Sequence, residues 1–214
     1  IRLARRRRRV ARRRLVLLCD ISGSMEPYAR AYLQFLACAA GSGPNAEAFV
    51  FATRLTRLTR ALSSRNPERA IQAAAAAAPD WSSGTRIGEA LQAFNDRHGR
   101  RGMARGAVVV ILSDGWERGD PKLVGRELER LARLAHRIVW VNPRVAADAF
   151  SVQSRGMLAA LPHCGAVVDG ADEQWTACER PGADVDVSRN ARMAVNQQPM
   201  PMHAHGPIDA LTRS

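Results

Sequence analysis

The sequence predicts a doubly wound α/β fold, a mostly parallel central sheet with helices on both faces. Two observations carry most of that reading. Short apolar runs such as Leu15–Cys19 and Ala107–Leu112 have strand length and lack polar alternation, as strands buried on both sides do. Segments with helical periodicity separate them, and strands alternating with helices imply βαβ crossovers and a parallel sheet. A third observation is functional: acid- and glycine-bearing loops follow the runs at Asp20 and Asp114.

Element by element, Leu15–Asp20 reads as a buried strand, and Pro27–Ala40 as a helix with Leu33, Leu36 and Ala40 at helical spacing. Gly41-Ser42-Gly43-Pro44 breaks that helix before a second strand, Ala46–Ala52. The period-three repeat Thr53–Arg60 is rich in β-branched and long residues and predicts an edge strand. Asn66-Pro67-Glu68 opens an alanine-rich helix by the cap-then-proline rule, and Pro79 closes it. A helix over Arg86–His98 buries Ile87, Leu91 and Phe94, and Ala107–Ser113 is the clearest strand. Asp120-Pro121 starts a further helix, followed by a strand at Arg137–Val141, a short helix at Met157–Leu161 and a last strand at Ala166–Val168. These bounds give an arginine-rich arm at 1–14, one α/β domain at 15–175 and a proline-punctuated tail at 176–214, read as disordered.

Composition narrows the classes. Hydrophobic content of 46% and charged content of 24% are those of a chain able to build a full core. No apolar run approaches the ~20 residues of a membrane-spanning helix. The net charge of +12 is concentrated: nine arginines lie in residues 1–14, which leaves +3 for the remaining 200 residues. No aromatic interleaves the arm and no nucleic-acid motif follows it, so nucleic acid is an unexpected partner and a solvated linker the simpler reading. Leu15–Cys19, behind the arginines, is too short for a secretory signal and stops at Asp20. The chain opens on Ile1 and is expected to be a piece of a longer one. Cys19, Cys38, Cys164 and Cys178 form no CxxC pair, and a reducing cytoplasm is the expected compartment. His203 and His205 lie in the tail and are a weak metal signal.

In open α/β sheets, ligands bind beyond the carboxyl ends of the strands. Three clusters should meet there: Asp20-Ile21-Ser22-Gly23-Ser24, Ser82-Ser83-Gly84-Thr85 and Ser113-Asp114-Gly115. Asp20, Ser22 and Ser24 alternate, so an extended loop points them to one side, and Gly23 permits a tight turn around what they hold. Two carboxylates with hydroxyls suit a small hard cation such as Mg²⁺, while the lack of His and Cys in these loops disfavours zinc, copper and iron. Two carboxylates roughly neutralise a divalent ion, and such a site still attracts an acidic group from outside. The plainer alternative makes the aspartates helix caps and the serines loop polars. Three clusters at the correct strand ends weigh against it.

Asp20-Ile21-Ser22-Gly23-Ser24-Met25, with Thr85 and Asp114-Gly115, resembles the metal-ion-dependent adhesion site (MIDAS) of von Willebrand factor A (VWA) domains. Phe49-Val50-Phe51-Ala52-Thr53-Arg54-Leu55-Thr56-Arg57, Gly84-Thr85-Arg86-Ile87-Gly88 and Trp140-Val141-Asn142-Pro143 are similar to the CoxE-like branch of that family. So are Ser113-Asp114-Gly115-Trp116-Glu117-Arg118-Gly119-Asp120-Pro121 and Gly156-Met157-Leu158-Ala159-Ala160-Leu161-Pro162. The resemblance spans about residues 10–175. It implies a Rossmann-like fold, Mg²⁺ or Mn²⁺ as the ion, Asp20, Ser22 and Ser24 as ligands, and Thr85 and Asp114 as direct or water-mediated ones. It implies a MoxR-type AAA+ ATPase partner and a role in maturing a molybdenum-containing CO dehydrogenase or related enzyme. Members usually carry a helical region before the arginine run, absent here, and the tail after Trp175 departs from the family's ending. Trp116-Glu117-Arg118 is expected at the rim of the site, either shaping partner choice or forming a solvated loop with one buried Trp.

Three functions compete. A non-catalytic module presents Mg²⁺ to a partner's acidic residue. A metal-dependent phosphohydrolase of the aspartate-nucleophile type needs an Asp two residues after Asp20 and a phosphate-holding lysine. Position 22 is Ser, and the sole lysine, Lys122, falls inside the helix beginning at Pro121. Nucleic-acid binding through the arm would fall steeply with salt and ignore Mg²⁺. The first reading is preferred: a protein-interaction module, not an enzyme.

Overall fold

The computed structural model describes residues 13–41, 45–62, 69, 72–73, 76, 84–144 and 154–169. Of the alanine-rich helix expected between Asn66 and Pro79, only Arg69, Gln72, Ala73 and Ala76 are described, and they are helical. Most of the arm, Ser82, Ser83 and the whole tail lie outside the described residues.

Among the described residues six strands form one sheet: β1 (Leu15–Asp20), β2 (Ala46–Phe51), β3 (Leu55–Arg57), β4 (Val108–Leu112), β5 (Arg137–Asn142) and β6 (Ala166–Asp169), in the order β3-β2-β1-β4-β5-β6. All pairs are parallel except β2–β3, an antiparallel edge. The apolar runs are continuous because both sides of the sheet are covered. In β1, Leu17 and Cys19 face a core with Tyr32, Leu33, Phe35 and Leu36 of helix α1 (Glu26–Gly41). Val16 and Leu18 face a second core, shared with Phe94 of α3 (Ile87–Phe94), Leu128 of α4 (Pro121–Ala132), Met157 of α5 (Arg155–Ala160) and Trp140 of β5. At ~25 cal/mol per Å² of buried apolar surface, these two layers dominate the favourable side of folding.

Two elements depart from the sequence expectation. The edge strand expected over Thr53–Arg60 is only Leu55–Arg57, and the short helix α2 (Thr59–Leu62) follows at once. Thr59 causes the break: its hydroxyl donates to Glu47 Oε2 (2.7 Å) and accepts from the Ala48 N–H (3.0 Å), which turns the chain off the sheet edge. The helix expected over Arg86–His98 is α-helical only to Phe94, then continues in wider turns over Asn95–Met103. Gly102 at φ 101° ends them.

The chain leaves β1 for β2 on one side and reaches β4 on the other. That reversal opens a crevice at the carboxyl ends of β1 and β4, the usual ligand position in such sheets.

Candidate metal centre

Asp20 is the last residue of β1 and fully buried. Its Oδ2 accepts from the Ser113 hydroxyl at 2.7 Å, and its Oδ1 accepts from the Ser22 N–H at 2.9 Å. Thr85 Oγ1 lies 3.4 Å from the same Oδ1. Ser22 Oγ and Ser24 Oγ are 3.2 Å apart, where a tight turn over Gly23–Met25 begins. Thr85 reaches the crevice because the next N–H, of Arg86, donates to Ala52 O (3.0 Å) at the end of β2. Four of the five sequence-predicted residues, Asp20, Ser22, Ser24 and Thr85, thus form one hydrogen-bonded group.

Asp114 joins them from the loop after β4. Ser113 N–H bonds Val141 O (3.0 Å), and the buried Trp140 Nε1 donates to Ser113 O (2.8 Å). Ser154 Oγ donates to Asp114 O at 3.1 Å. Gly115 sits at φ 79°, a backbone that favours glycine, and a Cβ there would meet Ser154 Oγ at 2.7 Å and Met157 Cβ at 2.8 Å. The Asp114 carboxylate is buried; Oδ1 accepts from the Trp116 N–H (3.1 Å), and among the described residues Oδ2 has no hydrogen-bond partner.

Burial pushes the Asp20 carboxyl up to about 6; its bonds from Ser113 and Ser22 pull the other way, and the Asp114 charge adds to the rise. Two buried acids with an orphaned oxygen and nearby hydroxyls make a site short of positive charge. Hard, oxygen-preferring divalent cations suit that donor set. Among the described residues no three His, Cys, Asp or Glu side chains gather around a metal position, so an ion here would depend on the hydroxyls.

Three features escaped the sequence reading. The sequence groups Ser113 with Asp114 and gives it no role, yet its hydroxyl makes the shortest side-chain bond to Asp20. Glu117 clamps the loop: Oε2 accepts from the Gly88 N–H (2.8 Å) in the first turn of α3. Arg144 follows β5, its Nε 3.8 Å from Asp114 Oδ2. Nothing in their spacing marks these contacts, which only the sheet order creates. Trp116 is 61% exposed, which removes the reading of a loop built on one buried Trp.

The geometry agrees with comparisons to known proteins. The family model for VWA domain containing CoxE-like protein matches residues 1–176. A search of curated proteins returned no match. Among solved structures, the chain is similar to an aerotolerance-related membrane protein from Bacteroides fragilis (13% identity, TM-score 0.51, 87% of this chain and 100% of that one). It is also similar to the conserved hypothetical protein BatB from Bacteroides thetaiotaomicron (15% identity, TM-score 0.47, 84% and 99% covered). A third is proximal thread matrix protein 1 from the mussel byssus with zinc-occupied MIDAS motif (12% identity, TM-score 0.47, 77% and 45% covered). The chain spans less than half the length of the mussel chains it matches. Among the described residues, no helix is long and apolar enough to cross a membrane. With its family model matched over residues 1–176, and with a six-stranded, mostly parallel sheet and Asp20 and Asp114 at its carboxyl end, the chain belongs to the VWA domain family as a CoxE-like member.

Proposed function

We propose that this VWA domain is a metal-ion-dependent protein-interaction module without catalytic activity of its own. Asp20, Ser22 and Ser24 would hold Mg²⁺ or Mn²⁺, with Thr85 and Asp114 ligating directly or through water. The observation that carries the reading is the Asp114 Oδ2 atom, buried and, among the described residues, without a hydrogen-bond partner. Arg144 Nε, 3.8 Å away, attracts this oxygen without a hydrogen bond to it, and a buried carboxylate oxygen left so is costly unless a cation in the crevice coordinates it. A bound divalent ion supplies an open coordination position for a carboxylate from outside. The chain's own groups do the rest: Ser113 and the Ser22 N–H orient the Asp20 carboxylate, and Trp140 and Ser154 hold the backbone that presents Asp114.

A phosphohydrolase reading gains no support: Ser22 stands where a general acid would be needed, and Lys122 is an exposed residue in the first turn of α4. We assign the acidic partner to a MoxR-type AAA+ ATPase, a client metalloenzyme, or both. The process is the maturation of a molybdenum-containing CO dehydrogenase or related enzyme in the cytoplasm, with CoxE-like membership supporting the assignment.

The test is capture of partners from native lysate by the full chain, with Mg²⁺ and with chelator. Recovery of an AAA+ ATPase or a molybdenum hydroxylase should require Mg²⁺ and be lost in Asp20→Ala and Asp114→Ala. Capture indifferent to metal and to both aspartates would refute the proposal.

A further inference from the structure

The metal reading leaves a charge unaccounted for. A divalent ion between Asp20 and Asp114 is neutral overall. A carboxylate arriving from a partner would leave a net negative charge in a crevice whose two acids are already buried, and an uncompensated buried charge is strongly disfavoured. Arg144 lies where that charge would appear. Its N–H is fixed by Asn142 Oδ1 (2.9 Å), and its guanidinium is half exposed with Nε 3.8 Å from Asp114 Oδ2. At that distance it attracts Asp114 without a hydrogen bond to it, and among the described residues its guanidinium has no other acceptor, so its donors can turn to an incoming anion. Asn142 ties the two together, since its Nδ2 lies 3.5 Å from Asp114 O.

Resting on the metal-module reading, we infer that Arg144 is the second half of a carboxylate-binding site, the residue that makes the open metal position selective for a protein aspartate or glutamate over neutral donors. The planar fork of arginine matches a carboxylate in a way a point charge does not. Arg118 is a second cation on the same rim: its N–H donates to Thr85 O (3.2 Å), and its side chain lies across Gly84. It sits on the Thr85 side of the crevice, so the two arginines flank the opening.

Without metal, Arg144 competes for the same acids. Its removal should therefore move two affinities in opposite directions, which a merely structural residue would not do. The experiment is calorimetric titration of the full chain with Mg²⁺. The Mg²⁺-saturated protein is then titrated with a short blocked peptide bearing one aspartate, its asparagine counterpart, or inorganic phosphate. In Arg144→Gln, Mg²⁺ should bind about threefold tighter than in the wild type, the scale of an exposed ion pair. The aspartate peptide should bind about tenfold more weakly, and Arg144→Lys should recover only part of that loss. Parallel loss of Mg²⁺ and peptide, or a peptide affinity unchanged by Arg144→Gln, overturns the inference while leaving the metal site standing. Phosphate binding in place of the peptide overturns the ligand class. A wild-type chain that takes up no Mg²⁺ refutes the metal reading, and this one with it.

Discussion

The two ends of the sheet handle charge in opposite ways. At the carboxyl end, Asp20 and Asp114 are buried, and the surrounding loops are pinned by Ser113, Trp140, Ser154 and Glu117. At the amino end, Arg13, Arg14, Arg97, Arg100, Arg101 and Arg105 are all exposed. Arg14 donates to Gly102 O (3.0 Å), which holds Arg14 against the turn before β4. The acids nearby are paired: Glu47 with Arg57, Asp96 with Arg130, and Glu129 with Arg133. Partly buried His98 registers the positive surroundings: burial holds its imidazolium below the usual range, and Arg57 and Arg97 push it further down. The contrast teaches which charges are informative. Solvated charges cost little and constrain function little, whereas a buried acid persists only against a cost and so points to what it meets.

The same substitution placed at both ends should have unequal effects. Gly115 and Gly106 both have positive φ, 79° and 66°. A Cβ at Gly115 collides with Ser154 Oγ, Met157 Cβ and, at 3.1 Å, Met157 N, whereas at Gly106 no atom of the described residues lies within 4 Å. Gly106→Ala should cost about 1 kcal/mol from backbone strain alone. Gly115→Ala adds the clash, about 3 kcal/mol in all, and should weaken Mg²⁺ binding because Asp114 moves with its neighbour. Denaturant unfolding of both variants with and without Mg²⁺ checks this, and equal costs would mean that the carboxyl-end loops are not rigid.

A smaller effect follows from Asp20. Its folded-state pKa, about 6, lies above the ordinary value of 3.8. The folded protein therefore binds the proton more tightly than the unfolded chain does. The associated stability is complete below 3.8 and is lost as pH rises through about 6, on the order of 3 kcal/mol. That loss belongs to the metal-free protein. A cation that neutralises Asp20 restores it, so the rise in Tm on adding Mg²⁺ should be larger at about pH 7.5 than at about pH 5. In Asp20→Asn the metal-free stability should lose this pH dependence; an unchanged profile would show that another group carries it.

How much of this was legible follows from what each part depends on. β1 matches its expected bounds, Leu15–Asp20, because burial on both faces writes a continuous apolar run that one acid ends. The start of α4 was equally legible, since Asp120 caps it, accepting from the Lys122 N–H, and Pro121 opens it. Asp20, at the end of β1, and Ser22 and Ser24 lie within five residues, so their spacing alone groups them. The Thr59 contact that stops β3 and the approach of Arg144 to Asp114 join residues 12 and 30 positions apart. Such pairs carry no local period, and only strand order brings them together. Exposure of Trp116 was undecided for a similar reason: a loop's apolar residue has no alternation to declare which way it faces.

The amino end should respond least. Arg100 and Arg101 are exposed, and no contact of either with a described acid is seen. Changing both to Gln should move stability by less than about 0.5 kcal/mol, the usual range for surface sites away from caps and networks. Elution from an immobilised polyanion should shift to lower salt, since each lost cation removes one screened attraction. Mg²⁺ affinity should not move, because the Debye length of about 8 Å at physiological salt shields one end of a five- or six-residue strand from the other. If Mg²⁺ affinity did change with these arginines, the two ends would be electrostatically coupled. The separation between a solvated basic surface and a buried acidic site would then fail as an account of this domain.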